Sequence, residues 1–162
     1  MQSSGDPRPG LFRREDESSD TVFYDEPRLV VHIDAPAIAA VTEYFAEVLP
    51  ASGAVLDLMS SWRSHLPEDY PISDVVGLGL NPVELNENPQ LQQRITHDLN
   101  ACPELPLESD RFDAVVVTVS VQYMTRPVET FAEVRRLLKV GGLFHVVFSD
   151  RMFPTKAVAI WR

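Results

Sequence analysis

Hydrophobic positions along the chain follow two rhythms that take turns. Ile38, Val41, Phe45 and Val48 recur at helical spacing behind Asp34 and Pro36, a helix-start signal, and Pro50 and Gly53 stop that helix. Ala54 to Leu58 (AVLDL) reads as a short buried strand and Asp74 to Leu80 (DVVGLGL) as another. Asn81-Pro82 opens a short helix, with Asn81 as N-cap, Pro82 in the first turn and Glu84 near the capping position. Arg94 to Leu99 gives a third strand of weaker pattern. Phe112 to Val121 (FDAVVVTVSV) is a continuous β-branched run that asks for burial on both faces. Pro127 opens a helix through Lys139 with Val128, Phe131, Val134 and Leu138 on its inner face, and Gly141-Gly142 end it. Leu143 to Ser149 (LFHVVFS) is the fifth strand. A final helix is expected from near Pro154 to the last residue.

Strands that alternate with helices predict an α/β fold, an open, mostly parallel sheet with helices on both faces. Ligands of such sheets sit beyond the carboxyl ends of the strands, where strand order reverses. Those ends are polar here: Asp57, Ser60 and Ser61 after the first strand, Asn81 after the second, Asp98 and Asn100 after the third, Ser120, Gln122 and Tyr123 after the fourth. Position alone makes them a ligand site. Residues 1–20 lack apolar periodicity and are expected to be a disordered tail, which leaves 21–162 as one domain.

Composition narrows the classes. A chain of 162 residues is one domain's worth of length. No apolar run approaches the ~20 residues of a membrane-spanning helix, the N-terminus has no apolar signal core, and the expected compartment is the cytoplasm. One cysteine, Cys102, makes no disulfide framework and no multi-cysteine zinc site. A net charge of −10 argues against a nucleic-acid backbone as partner and fits the handling of small molecules, cationic ones included. His32, His65, His97 and His145 show no metal-ligand spacing, so no metal is expected.

The turn after the first strand, Met59-Ser60-Ser61-Trp62-Arg63-Ser64-His65, contains no glycine. A glycine-rich turn lets backbone amides approach a pyrophosphate, and its absence weakens a nicotinamide or flavin reading; no triphosphate loop is present either. The order VLDL, GLGLNPVEL, HDLNACPELPLESDRFDAVVVTVSVQYM, RPVETFAEVRRLLKVGGLFHVVFS resembles a class I S-adenosylmethionine-dependent methyltransferase of the type-11 kind over residues 54–149. Its most specific pieces are Asp98, Leu105-Pro106, Phe112-Asp113, Arg136-Leu137-Leu138-Lys139 and Gly141-Gly142. The phrases FYDEPRLVVHIDAPAI, LDLMSSW, VQYMTRPVE and FSDRMFPTKAVAIW resemble an atypical bacterial and plant subgroup of that family.

The resemblance implies a Rossmann-like fold and S-adenosylmethionine as cofactor. Asp57 stands where the family has the acid that organises the first loop, beside Ser60. Asp98 and Leu99 match the pair that meets the adenine. Ser120, Val121 and Tyr123 fall under the reacting sulfonium. Two departures accompany it: Met59 to Arg63 replace the family's glycine-rich loop, and its ribose-gripping acid aligns with Gly79. Asn81 or Glu84 is left to reach the ribose. The family fold continues past strand five, so this sheet is expected to be truncated there, as a fragment or as a domain that completes its sheet by pairing, possible homodimer included.

Plainer roles compete at each position. Asp57 and Asp98 are also turn caps, Asn81 is first of all an N-cap, Ser120 can satisfy a strand end, and Tyr123 can be a buried ring with its hydroxyl tied off. Trp62 reads as filler for the missing glycines. His65 is a minor candidate for general base, and Arg151, Phe153 and Lys156 for substrate contact; no catalytic residue is assigned. The leading expectation is a methyltransferase that acts on a small-molecule acceptor, with neither nucleic acid nor membrane as partner. The alternative is a non-catalytic scaffold or partner protein on the same fold.

Overall fold

The computed structural model describes residues 10–69, 71 and 74–162. Residues 1–9 of the expected tail lie outside them. Helix α1 spans Asp20–Phe23 and α2 spans Ala35–Val48, capped by Asp34, whose carboxylate accepts from the Ala37 N–H at 3.0 Å. Strands β1 (Ala54–Leu58), β2 (Asp74–Gly79), β3 (Gln93–Thr96), β4 (Phe112–Thr118) and β5 (Leu138–Val147) form one parallel sheet in the order β3-β2-β1-β4-β5. Helix α3 (Pro82–Glu87) follows β2 and α4 (Pro127–Leu137) precedes β5.

Both sheet faces are covered, as the continuous apolar strands require. Leu56, Leu58, Val115 and Val117 meet Val134 and Leu137 of α4 on one face. Val55, Ala114 and Val116 meet Val41 and Phe45 of α2 and Leu85 of α3 on the other. The fold is therefore Rossmann-like, three layers deep.

Several expected boundaries move. Helix α4 buries Thr130, Val134 and Leu137, while Val128 and Phe131, assigned to the inner face, are exposed. The glycine pair lies inside β5: Phe112 pairs with Leu138 but Ala114 with Leu143, a bulge that Gly141 accommodates at φ +84. Strand β4 ends at Thr118 because Val119 turns to φ +48, and Val121–Tyr123 form a 3-10 turn.

The final helix is absent. Past Pro154 there are turns and a 3-10 stretch at Ala159–Trp161. The backbone N–H groups of Val158, Ala159 and Ile160 donate to Gln122, Arg13 and Leu11 rather than along a helix. Those partners show that residues 10–20 are not a loose tail. Lys156 is wholly buried, with its ammonium 3.2 Å from Asp16, 3.4 Å from Asp20 and 2.6 Å from the Ser18 carbonyl oxygen. Arg14 pairs with the same Asp20 at 2.5 Å. Charges typical of a solvated segment are the counter-ions of a lysine from the far end of the chain.

Candidate functional site

Strand order reverses between β1 and β4, and the crevice this leaves at the carboxyl ends of the strands holds a cavity of about 340 Å³. Asp57, Ser60, Asn81, Asp98, Leu99, Ser120 and Tyr123 all line it. Their local bonds differ, and the bonds decide what each remains able to do.

The glycine-free loop after β1 is organised by Asp57. Its carboxylate oxygen accepts from the Ser60 and Ser64 hydroxyls, each at 2.6 Å. Burial raises its pKa to about 6, against the lowering effect of those two hydroxyls. Ser60 N–H donates to the Leu78 carbonyl at 2.8 Å, which lays the loop across the end of β2. A methyl group at Gly79 would lie 2.2 Å from the Ser60 carbonyl oxygen. No side chain, acidic or other, is accommodated at position 79 while the loop runs there. The serine loop and the glycine at position 79 are thus one feature: the loop occupies the space that a side chain there would need.

Asn81 and Glu84 are engaged elsewhere. Asn81 Oδ1 caps the Val83 and Glu84 N–H groups at 2.9 and 3.2 Å, and its amide donates to the Tyr24 and Asp25 carbonyls at 3.0 Å each. Glu84 accepts from the Ser61 hydroxyl at 2.6 Å and the Arg28 N–H at 2.8 Å. Capping occupies Oδ1 of Asn81, and the Tyr24 and Asp25 carbonyls occupy its amide nitrogen. Asp98 is freer, for Oδ1 accepts from the Asn100 and Ala101 N–H groups while Oδ2 has no donor among the described residues. Leu99 beside it is buried in the core.

After β4, Ser120 turns its hydroxyl back to the Thr118 carbonyl at 3.0 Å. Thr118 Oγ1 is buried at the cavity wall without a partner among the described residues. Tyr123 accepts from the Phe153 N–H at 2.9 Å, and burial pushes its pKa up. His65 and His32 also line the cavity, and burial lowers the pKa of both. His145 lies on β5 outside it, 2.9 Å from the Tyr44 hydroxyl. Arg151 and Phe153 reach the cavity, whereas Lys156 belongs to the ion cluster. Trp62 lines the cavity and donates to the Val30 carbonyl at 2.9 Å, so it ties the loop to the roof.

The roof itself is new. Asp20, Tyr24, Arg28 and Val30 to Ile33 close the cavity from above. Apart from His32, weighed only as a metal ligand, none follows from composition or periodicity; the phrase FYDEPRLVVHIDAPAI, carried by the subgroup resemblance, is the available signal. Among the described residues no three His, Cys, Asp or Glu side chains are placed to hold a metal, and no helix is long and apolar enough to cross a membrane.

A parallel sheet in this order, with a cavity at its switch point, defines a Rossmann-like α/β protein. Residues 58–146 match the methyltransferase-domain family across more than half of the chain, and the chain belongs to that family. Among solved structures, an S-adenosyl-L-methionine-dependent methyltransferase assigned in Methanococcus maripaludis aligns at TM-score 0.58 and 19% identity, over 69% of this chain and 55% of that one. A chain of the complex between the Haloferax volcanii Trm112 methyltransferase activator and a methyltransferase gives 0.56 and 20%, over 68% and 54%. Geranyl diphosphate C-methyltransferase from Streptomyces coelicolor, solved with S-adenosyl-L-homocysteine, gives 0.53 and 16%, over 65% and 44%. The chain thus spans about half the length of these structures. No curated protein matches it in sequence.

Proposed function

We propose that the chain binds S-adenosylmethionine in the switch-point cavity and directs its methyl group to a small-molecule nucleophile. The observation that carries this reading is the cavity itself, bounded by the ends of β1 to β4 in a chain of the methyltransferase-domain family. The residues fit the cofactor in part. Asp98 keeps a free carboxylate oxygen, Thr118 an unpartnered hydroxyl, and about 340 Å³ lies in the usual range of small-molecule sites.

When bound, the cofactor supplies a methyl group activated on sulfur. The chain's part is to orient and to exclude water. Asp57 keeps the β1 loop folded, Asp98 with Leu99 receives the adenosine end, and Thr118, Ser120 and Tyr123 form the floor beneath the reacting centre. His65 and His32, lowered in pKa by burial, stand neutral at pH 7 and are suited to take a proton from an acceptor that must lose one. The partners on this reading are the acceptor and, through β5 at the sheet edge, a second copy of the chain.

The scaffold reading has its own support. Asn81 and Glu84, the alternative ribose contacts, are consumed by bonds within the fold. Calorimetric titration with S-adenosylhomocysteine separates the two. Methyl transfer predicts binding, and an Asp98→Ala protein whose affinity is roughly tenfold lower, the worth of a hydrogen bond to a charged group. Absence of binding would favour the scaffold, and unchanged affinity in Asp98→Ala would remove that residue from the site.

A further inference from the structure

We propose that the methyl acceptor has an apolar body and one carboxylate or phosphate group, and that Arg28 anchors that anion. This rests on reading the cavity as a methyl-transfer site. The cavity is lined by cations as well as acids. The chain carries −10 overall, yet Arg28, Arg63 and Arg151 line the cavity. None of the three forms an ion pair among the described residues. Of the lining acids, Asp98 keeps an oxygen free and is assigned to the cofactor, and the other three have other work. Asp20 holds Arg14 and Lys156, Glu84 accepts from Ser61 and the Arg28 backbone, and Asp57 lies beneath two serine hydroxyls.

Arg28 is the built part of this arrangement. Its guanidinium carbon lies 4.7 Å from the Phe23 ring centroid and 5.4 Å from those of Tyr24 and Phe153. Nη2 donates to the Phe23 carbonyl at 2.9 Å, whereas Nη1 is buried with no acceptor among the described residues. Stacking fixes the plane of the fork and removes water from it. A desolvated donor without a partner is costly, and the chemistry that best relieves a guanidinium is a carboxylate or phosphate oxygen. Val30, Val31, Ile33, Met59 and Met152 supply the apolar remainder of the wall.

The rival source of an anion is the cofactor's own carboxylate, and the test separates the two. The protein is saturated with S-adenosylhomocysteine and titrated calorimetrically with benzoate, phenyl phosphate and, as the neutral probe, benzyl alcohol. At least one anion is expected to bind in the millimolar range, with benzyl alcohol tenfold weaker or more. Arg28→Met should lose tenfold or more of the anion affinity while binding S-adenosylhomocysteine within twofold of wild type, and Arg28→Lys should retain part of it. An unliganded melt establishes that both variants are folded. Equal binding of benzyl alcohol, no binding of either anion, or anion binding unchanged in Arg28→Met overturns the proposal. So does a tenfold loss of S-adenosylhomocysteine affinity in that variant, which would assign Arg28 to the cofactor. A wild type that binds no S-adenosylhomocysteine refutes the methyl-transfer reading itself, and the acceptor proposal with it.

Discussion

Asp57 shows how one residue combines a legible position with an illegible role. Its place at the end of the first apolar strand marks it for a switch-point site, and the structure puts it at the cavity. What the pattern does not contain is the pair of serine hydroxyls, three and seven residues on, that enclose the carboxyl group. Burial raises its pKa from the ordinary 3.8 to about 6, a difference worth on the order of 3 kcal/mol. Between those two values the folded chain holds a proton that the unfolded chain has released. This residue's contribution to stability is therefore complete below about pH 4 and is lost as pH rises through 6. Asp57→Asn keeps an acceptor and removes the titration. Urea denaturation is expected to show the variant gaining on wild type by up to about 3 kcal/mol between pH 4 and 7; a constant difference across that range would contradict the assignment. In Asn81 the capping role is plain from Asn-Pro and takes up Oδ1, while its amide bonds to the distant Tyr24 and Asp25 carbonyls are not.

At the scale of elements, what sequence pattern captures is local. The helix behind Asp34, the strand Ala54–Leu58 and the Asn81-capped helix stand where periodicity and capping place them. The misplacements share a cause: the deciding contact is distant in sequence. Gly141 and Gly142 look like a helix stop but serve a bulge opposite Asp113. The C-terminal segment looks helical after Pro154, yet its N–H groups answer carbonyls of residues 11, 13 and 122. The N-terminal segment is charged because Lys156 needs partners. Lys156→Met leaves Asp20 buried beside Arg14 with one cation fewer. Breaking a buried cluster of this kind costs about 3–5 kcal/mol, and it frees the strap that roofs the cavity. Limited proteolysis should then cut within residues 10–33 well before the sheet, whereas wild type resists there. Equal cleavage rates for the two proteins would mean that the cluster does not hold the roof.

For the whole molecule, the parallel sheet was legible because buried β-branched runs alternate with amphipathic segments, and the cavity's floor follows from topology alone. Its roof was not legible, since a strap that crosses the strand ends has no period of its own. Strand β5 ends the sheet, and Val140, Leu143 and Val146 along it, with Phe148 just beyond, are exposed. An apolar edge of this length pairs with another edge in concentrated solution. Light scattering over a range of concentrations is expected to give the mass of a dimer, and a monomer mass throughout would contradict that.

The central claim is that the switch-point cavity receives S-adenosylmethionine. A thermal melt with S-adenosylmethionine, S-adenosylhomocysteine or NADH at millimolar concentration tests it most directly. A ligand at a hundred times its dissociation constant adds about 2.7 kcal/mol, which moves the midpoint of a domain this size by roughly 5 to 10 °C. The account predicts that shift with the first two ligands and none with NADH. A midpoint unmoved by either adenosyl compound, or moved by NADH alone, would contradict it.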